Sequence, residues 1–530
     1  MFWADKIVDD FLAERKQIID TKESIIIRDE KTPSGRVHVG SMRGVAMHGV
    51  ISRVLAERGV ENTYLYEFND FDAFDSIPAY LDEKKYIEHL GKPLCAVPAP
   101  DLPAQAGGDE NYAQYFANEF ARTIEASGFY PQFYYSSDEY RAGKYNDVIR
   151  TALERADDIR RIYKEVSGGE RPEGWLPIMV VCEKCGKVAT TRATSFDAEQ
   201  VSYVCDQEIG GATPCGHTGS VSPFNGNAKL PWKVEWAAKF RVYDVDIEGA
   251  GKDHATKGGS KHVANEIARQ VFEYSPPHDF WYEFFLVGGK KMSSSKGAGS
   301  SASEVASLLP PHIFQLALLG RQPKRAINFD PEGDTIPLLF DQYDTLAEKY
   351  ATGIEDDETR LFGLIHREGD IHARYLPRFS QVAFMIQMPH MDLEDEVAKM
   401  KEAPLSEADK KELKERAYYA RKWLDTYASE RYIYELQLER VPEEAKEFSE
   451  GQKAALRRVL TVVRDSEALD GQELHTALHD IKAETDTEPK AFFGALYLAF
   501  LGKESGPKIG WFLSVLPKDF IEQRLEEVTS

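Results

Sequence analysis

Cysteine is scarce in this chain, with 5 among 530 residues, and that scarcity excludes a disulfide-stapled secreted scaffold. Basic charge is also in deficit. Asp and Glu number 88 against 65 Lys and Arg, a formal net charge of −23, which excludes a protein that coats nucleic acid without regard to sequence. A specific RNA met by a locally basic face stays open. No apolar run approaches the roughly 18 residues of a membrane span. The first residues, Met-Phe-Trp-Ala-Asp-Lys, lack the charged-then-apolar order of a secretion signal, so the expected location is cytoplasmic, with no membrane partner. There is no fixed-period repeat and no low-complexity tract.

What is present begins with length, since 530 residues exceed a single core and predict two to four domains. Segments 24–28, 64–68, 129–135 and 281–287 are rich in β-branched and aromatic residues and are separated by helical patterns, which predicts a parallel α/β sheet. Between 168 and 230 the texture turns to Gly, Ser, Thr and cysteine, an insertion, and sheet-like patterning is expected to resume at Pro231. Beyond Leu308 apolar residues recur at helical spacing. Ser406 reads as an N-cap, and 491–501, apolar on most faces, as the centre of a bundle. The expected organisation is an α/β domain in two halves, 1–167 and 231–305, interrupted by the 168–230 insertion. A connecting stem at 306–340 and an all-α domain at 341–530 follow.

Two segments about 250 residues apart carry the chemistry. The first, Thr32-Pro-Ser34-Gly35-Arg-Val-His38-Val-Gly40-Ser41, follows a predicted strand and opens a predicted helix, where free N–H groups and the helix dipole attract phosphate. His38 adds donors for phosphate oxygens. The second, Lys290-Lys291-Met292-Ser293-Ser294-Ser295-Lys296-Gly297, offers ammonium groups and hydroxyls suited to charge on departing pyrophosphate. Either alone is also what a solvated loop looks like; together they describe a nucleoside triphosphate held from two sides.

The cysteines form a third constellation, Cys182-x-x-Cys185, Cys205 and Pro-Cys215-Gly-His217, which predicts one structural zinc in a small β-rich insertion. Its fourth ligand is assigned to Cys215, with His217 the alternate. Other candidates sit where strands should end. Asn69-Asp70-Phe-Asp72 would face a cation or ribose, with a solvated acidic loop as the alternative. Trp232-Lys-Val-Glu235-Trp236 places an acid between two indoles, a slot for an ammonium or else core packing. Gly251-Lys-Asp253-His254 precedes a turn and a helix, suiting ribose and amino-acid binding or a simple cap.

His38-Val-Gly-Ser41 and Lys291-Met-Ser-Ser-Ser295 resemble the HIGH and KMSKS signatures of class I aminoacyl-tRNA synthetases. With Asn69-Asp70-Phe-Asp72, Pro78, Tyr140-Arg-Ala-Gly143, the cysteine insertion, Lys229-Leu-Pro-Trp232 and Gly251-Lys-Asp-His254, the chain resembles the class I lysyl-tRNA synthetase family over almost its whole length. The resemblance implies a Rossmann-like catalytic domain with a zinc-bearing insertion and a helical domain that binds the anticodon. It implies lysyl-adenylate formation from L-lysine and ATP, with Mg²⁺ on the nucleotide, and transfer to lysine tRNA. By similarity His38, Ser41, Lys291, Ser294 and Ser295 are catalytic, and Ser34, Gly35, Gly40, Asp253 and Met292 complete the ATP site. By the same resemblance Thr32, Trp232, His254 and Tyr282 would line the lysine pocket, and Asp70, Asp72 and Glu235 are expected to add negative charge suited to its ammonium. A monomer without DNA affinity is expected. Lys410, Lys411 and Lys414, or Arg457, Arg458 and Arg464, are candidate tRNA-facing clusters.

Glu30 departs from the family, which often has glycine there, and Ser294 replaces the second signature lysine. A glutamate enzyme is the nearest rival, because Arg28 lies on the strand before the first motif, but Asp29 and Glu30 beside it neutralise it. A noncatalytic RNA-binding paralogue is the rival of another class.

Overall fold

The computed structural model describes every residue except 20, 104–110, 290–299, 367–374, 376, 389–390, 468 and 486–487. The chain divides into two compact units, Met1–Phe329 with Leu346–Arg367, and Asp330–Thr345 with Glu368–Ser530.

The first unit is built on a five-stranded sheet. Its strands are β1 (Ile25–Lys31), β2 (Asn62–Phe68), β3 (Gln132–Tyr135), β9 (Ile247–Gly251) and β10 (His278–Tyr282), in spatial order β10-β9-β1-β2-β3, with all neighbours parallel. Ile25 and Ile27 of β1 are buried, and the helix Met42–Glu57 buries most of its length beside it. This apolar frame leaves the carboxyl ends of the strands as the place where chain and ligand meet. The loops leaving β1, β2 and β9 are 32–41, 69–72 and 252–254, which hold the polar constellations.

Between the halves of the sheet lies the small β region, with β5 (Thr191–Phe196), β6 (Val201–Cys205) and β7 (Thr218–Val221) antiparallel, and β4 (Met179–Val180) paired to β8 (Ala228–Lys229). Its Val180, Val201 and Tyr203 join one apolar cluster with Tyr140, Phe240 and Ile267 of the larger domain.

Three local expectations change. Pro231 does not resume a sheet; it caps a helix, Trp232–Val242, whose Trp232/Trp236 and Glu235/Lys239 pairs share adjacent faces at i,i+4 spacing. The predicted strand at 281–287 is two strands, because β10 ends at Tyr282 and β11 (Phe285–Val287) pairs with β12 (Ile327–Phe329) instead of the main sheet. The strand expected over 129–135 begins only at Gln132.

The second unit is helical. Ser406 caps Glu407–Thr426 through a reciprocal box with Asp409. Fully buried Arg416 on that helix is held by Asp344, Glu412 and the Pro377 carbonyl, while Trp423 donates its indole N–H to the Pro331 carbonyl at 2.7 Å. Helix Pro489–Leu501 buries Phe492, Leu496 and Phe500, as its all-round apolar character predicts. Among the described residues no helix is long and apolar enough to cross a membrane.

Candidate active site

A cavity of about 460 Å³ opens at the carboxyl ends of β1, β9 and β10. It is lined by Thr32, Ser34, His38, Gly40, Ser41, Asp72, Trp232, Asp253, His254 and Tyr282, so ten of the residues singled out in sequence meet in one place. Gly35 is not on its wall, and neither are Asp70 and Glu235. Lys291, Met292, Ser294 and Ser295 lie outside the described residues.

The phosphate side is a short 3₁₀ turn, Val39–Ser41, leading into helix Met42–Glu57 with no side chain capping the helix start. Within the turn the Val39 N–H donates to the Ser300 carbonyl at 3.3 Å and the Ser41 N–H to the His38 carbonyl at 3.1 Å, so an anion here meets the positive end of the helix dipole. Gly40 is required by packing: a Cβ there would lie 2.8 Å from His38 Nδ1 and 3.3 Å from the Phe285 carbonyl oxygen.

On the other side, the Trp232 and Trp236 rings stack at 5.8 Å, and the His254 ring meets both edge-on at 5.5 and 5.7 Å. Trp232 is 39% exposed and lines the cavity. Glu235 does not sit between these indoles as the sequence suggested. It occupies the neighbouring helix face, fully buried, where Tyr140 donates to it at 2.7 Å and Lys229 and Lys239 approach at 3.3 and 3.5 Å. Asp70 is likewise turned away from the cavity. Ser136 and Ser137 hydroxyls and the Ser137 N–H donate to its two oxygens at 2.6–3.1 Å, which makes it a tether for the loop after β2. Asp72 does line the cavity, where it accepts from Thr32 Oγ1 at 3.0 Å and pairs with buried Lys229.

Beneath the cavity is a buried ionic cluster. Arg28, wholly buried, donates to Glu67 and Glu248 at 2.7 Å each and also pairs with Glu30. Lys239 reaches Glu30 and Glu67 at 2.7 Å. Arg28, Lys229 and Lys239 therefore face Glu30, Glu67, Asp72, Glu235 and Glu248, three cations against five carboxylates. Although burial opposes it, Lys239 and Arg28 hold the Glu30 carboxyl well below the usual carboxylate range. Burial acts the other way on Glu248, pushing it up against the pull of Arg28.

Sequence reasoning missed Asp29, Lys31 and Glu248 as cavity-wall residues, and His48 behind them. A signal existed: Arg28-Asp-Glu-Lys31 is four charges in succession in a central strand, where such residues are depleted unless paired or facing a ligand. Burial pushes Asp29 from the ordinary Asp value up to about 7 and His48 down to about 3. His48 Nε2 accepts from the Gly249 N–H at 2.8 Å, leaving Nδ1–H to donate to the Gly44 carbonyl at 2.8 Å, so the ring is neutral.

In the insertion, the sulfurs of Cys182, Cys185, Cys205 and Cys215 all lie within 4.8 Å of one another, with Cys182–Cys215 at 3.6 Å and Cys185–Cys205 at 3.8 Å. Four thiolates about 2.3 Å from a tetrahedral zinc stand about 3.8 Å apart, so the donor set and its spacing fit that ion. His217 is not among the converging groups; its carbonyl instead accepts from the Cys205 N–H at 2.8 Å.

The model of the tRNA synthetases class I (K) family matches residues 1–367. The chain belongs to that family. An anticodon binding domain model matches 386–529 of this synthetase. It is 33% identical to a lysine–tRNA ligase of Methanosarcina barkeri, over 100% of this chain and 98% of the relative. It is also 33% identical to the lysine–tRNA ligase of Archaeoglobus fulgidus, over 99% of each. A solved glutamate–tRNA synthetase of Elizabethkingia anophelis aligns with 96% of this synthetase and 100% of that chain at 12% identity, with a TM-score of 0.42.

Proposed function

We propose that this synthetase joins L-lysine to lysine tRNA in two steps, first forming lysyl-adenylate from lysine and ATP and then passing the lysyl group to the terminal ribose of the tRNA. The observation that carries the choice of amino acid is the sign of the cavity floor. Arg28, placed where it would suit a substrate side-chain carboxylate, is committed to Glu30, Glu67 and Glu248. The five carboxylates against three cations leave a negative excess that an entering ammonium offsets once water is displaced. The stacked indoles supply a face for the same cation.

In this reading the turn from Ser34 to Ser41 holds the ATP phosphates, with His38 donating to them as pentavalent phosphorus forms. The lysine carboxylate attacks the α-phosphorus in line and pyrophosphate leaves. Catalysis is then positioning and charge neutralisation, and magnesium arrives as part of the nucleotide. Lys291, Ser294 and Ser295 are proposed to receive the leaving pyrophosphate, Asp253 the ribose, and Thr32, Asp72, Trp232, His254 and Tyr282 the lysine. The cysteine site is proposed to hold one zinc that shapes the insertion, since four soft ligands leave no open position for chemistry. The helical region 341–530 is proposed to dock the anticodon arm.

ATP–pyrophosphate exchange across the twenty amino acids, with and without tRNA, tests the reading. Lysine is expected to support exchange and glutamate none; exchange with glutamate and not lysine would overturn the substrate while keeping the family.

A further inference from the structure

β1 carries two charged side chains on the cavity wall that take no part in the ionic cluster. Asp29 and Lys31 alternate with Arg28 and Glu30 along the strand and so project from its opposite face. The Asp29 carboxylate accepts from the Glu30 N–H at 2.8 Å and lies 3.5 Å from His48 Nδ1. His48 brings it no charge, because the ring is held neutral between the Gly249 N–H and the Gly44 carbonyl. Among the described residues, no lysine or arginine nitrogen lies within 4.0 Å of Asp29. Its surroundings are fitted closely: a Cβ on Gly44 would stand 2.9 Å from Asp29 Oδ2 and 2.5 Å from the Tyr282 hydroxyl. The Lys31 ammonium likewise has no ion pair or hydrogen bond among the described residues, and the carboxylates whose fields reach it are Asp29 and Asp253.

We propose that Asp29 and Lys31 hold the zwitterionic end of the amino-acid substrate, Asp29 receiving the α-ammonium and Lys31 the α-carboxylate. This rests on the lysine reading above and extends it to which atoms discriminate an α-amino acid from its fragments. A carboxylate and an ammonium two residues apart on one strand face stand about 7 Å apart at the backbone, a span their side chains close around the two charges of an α-amino acid. Lys31 is the last residue before the phosphate turn, so a carboxylate held there lies beside the groups proposed to hold the α-phosphate. The substrate side chain then runs toward the Trp232, Trp236 and His254 rings and the opposite row of carboxylates. The burial that raises Asp29 and lowers Lys31 is the cost an oppositely charged ligand offsets.

The test is inhibition of lysine charging on the full-length synthetase by three fragments of the substrate. These are 6-aminohexanoate, which lacks the α-ammonium, cadaverine, which lacks the carboxylate, and 6-hydroxynorleucine, which lacks the ε-ammonium. The unaltered protein is expected to prefer lysine to each by on the order of 10- to 100-fold. Asp29→Asn should bring the ratio for 6-aminohexanoate to within roughly threefold of unity and leave the cadaverine ratio in place, while Lys31→Gln should do the reverse. Ratios that both variants leave unchanged would overturn the proposal, as would collapse of the 6-hydroxynorleucine ratio in Asp29→Asn. Asp29→Ser provides a second, smaller replacement should the amide disturb folding, as judged by the thermal melt. Failure of the unaltered protein to charge lysine would instead sink the substrate reading itself.

Discussion

Two regions of the first unit solve the same problem, polar groups with too little water, by different means. At the end of β1 a run of four charges is made tolerable by partners far away in the chain: Arg28 is 39 residues from Glu67 and 220 from Glu248. In the insertion the converging groups come from one short stretch, the extreme pair Cys182 and Cys215 being 33 residues apart. The first arrangement exists only when the sheet has assembled, and it leaves cavity-facing charges for a ligand. The second closes on itself, its four sulfurs converging at a spacing that fits a zinc ion.

The comparison breaks most visibly if a cluster cation is removed. Lys239→Met leaves Arg28 to be shared between Glu30 and Glu67 in the interior, and about 3–5 kcal/mol of stability should be lost in urea unfolding. Pairing it with Glu67→Gln should recover part of that loss. On the functional side, His38→Ala should lower exchange by about two to three orders of magnitude with little change in the melt, which separates the cavity's chemistry from its scaffold. In the insertion, Cys205→Ser should release the metal, measured by elemental analysis. Hydrogen exchange should show opening of β5 to β7 while β1 and β2 remain protected.

The smallest effect sharpens the contrast by pH. The charges that act on Asp29 are Arg28, Glu30 and Lys31 of its own strand and Glu248 of β9, with His48 of the 42–57 helix 3.5 Å away, and burial raises it from 3.8 to about 7. Between those values the folded chain binds a proton that the unfolded chain does not. Asp29 therefore contributes stability that is present below about pH 4 and is lost as pH rises through about 7. Asp29→Asn should remove that part of the decline, so the stability difference between variant and parent should grow in the variant's favour from pH 4 to 7. Parallel stability curves for the two proteins over that range would show that Asp29 titrates normally.

Much of the site was legible because its signals are local. A glycine-containing turn between strand and helix, a Cys-x-x-Cys pair and two tryptophans at i,i+4 can each be read within a few residues. The errors arose where direction mattered. Glu235 was read as standing between Trp232 and Trp236, yet helical geometry turns it to the next face, where Tyr140 and Lys229 await it. Asp70 and Asp72 looked equivalent, and only the position of Ser136 and Ser137 at the end of β3 decides that the first is a tether.

By itself, then, the sequence determined the alternation that makes a parallel sheet, the glycine-bearing turn between strand and helix, the four sulfurs and the helical character of the second half. These follow from periodicity and from residue types acting on their neighbours. Only the tertiary structure decided which charges cancel and which are left over. Whether Arg28 serves a substrate or the scaffold depends on Glu67 and Glu248, which reach it from neighbouring strands. The energy of a charge in a protein interior is set by what surrounds it in space, and sequence order does not contain that distance.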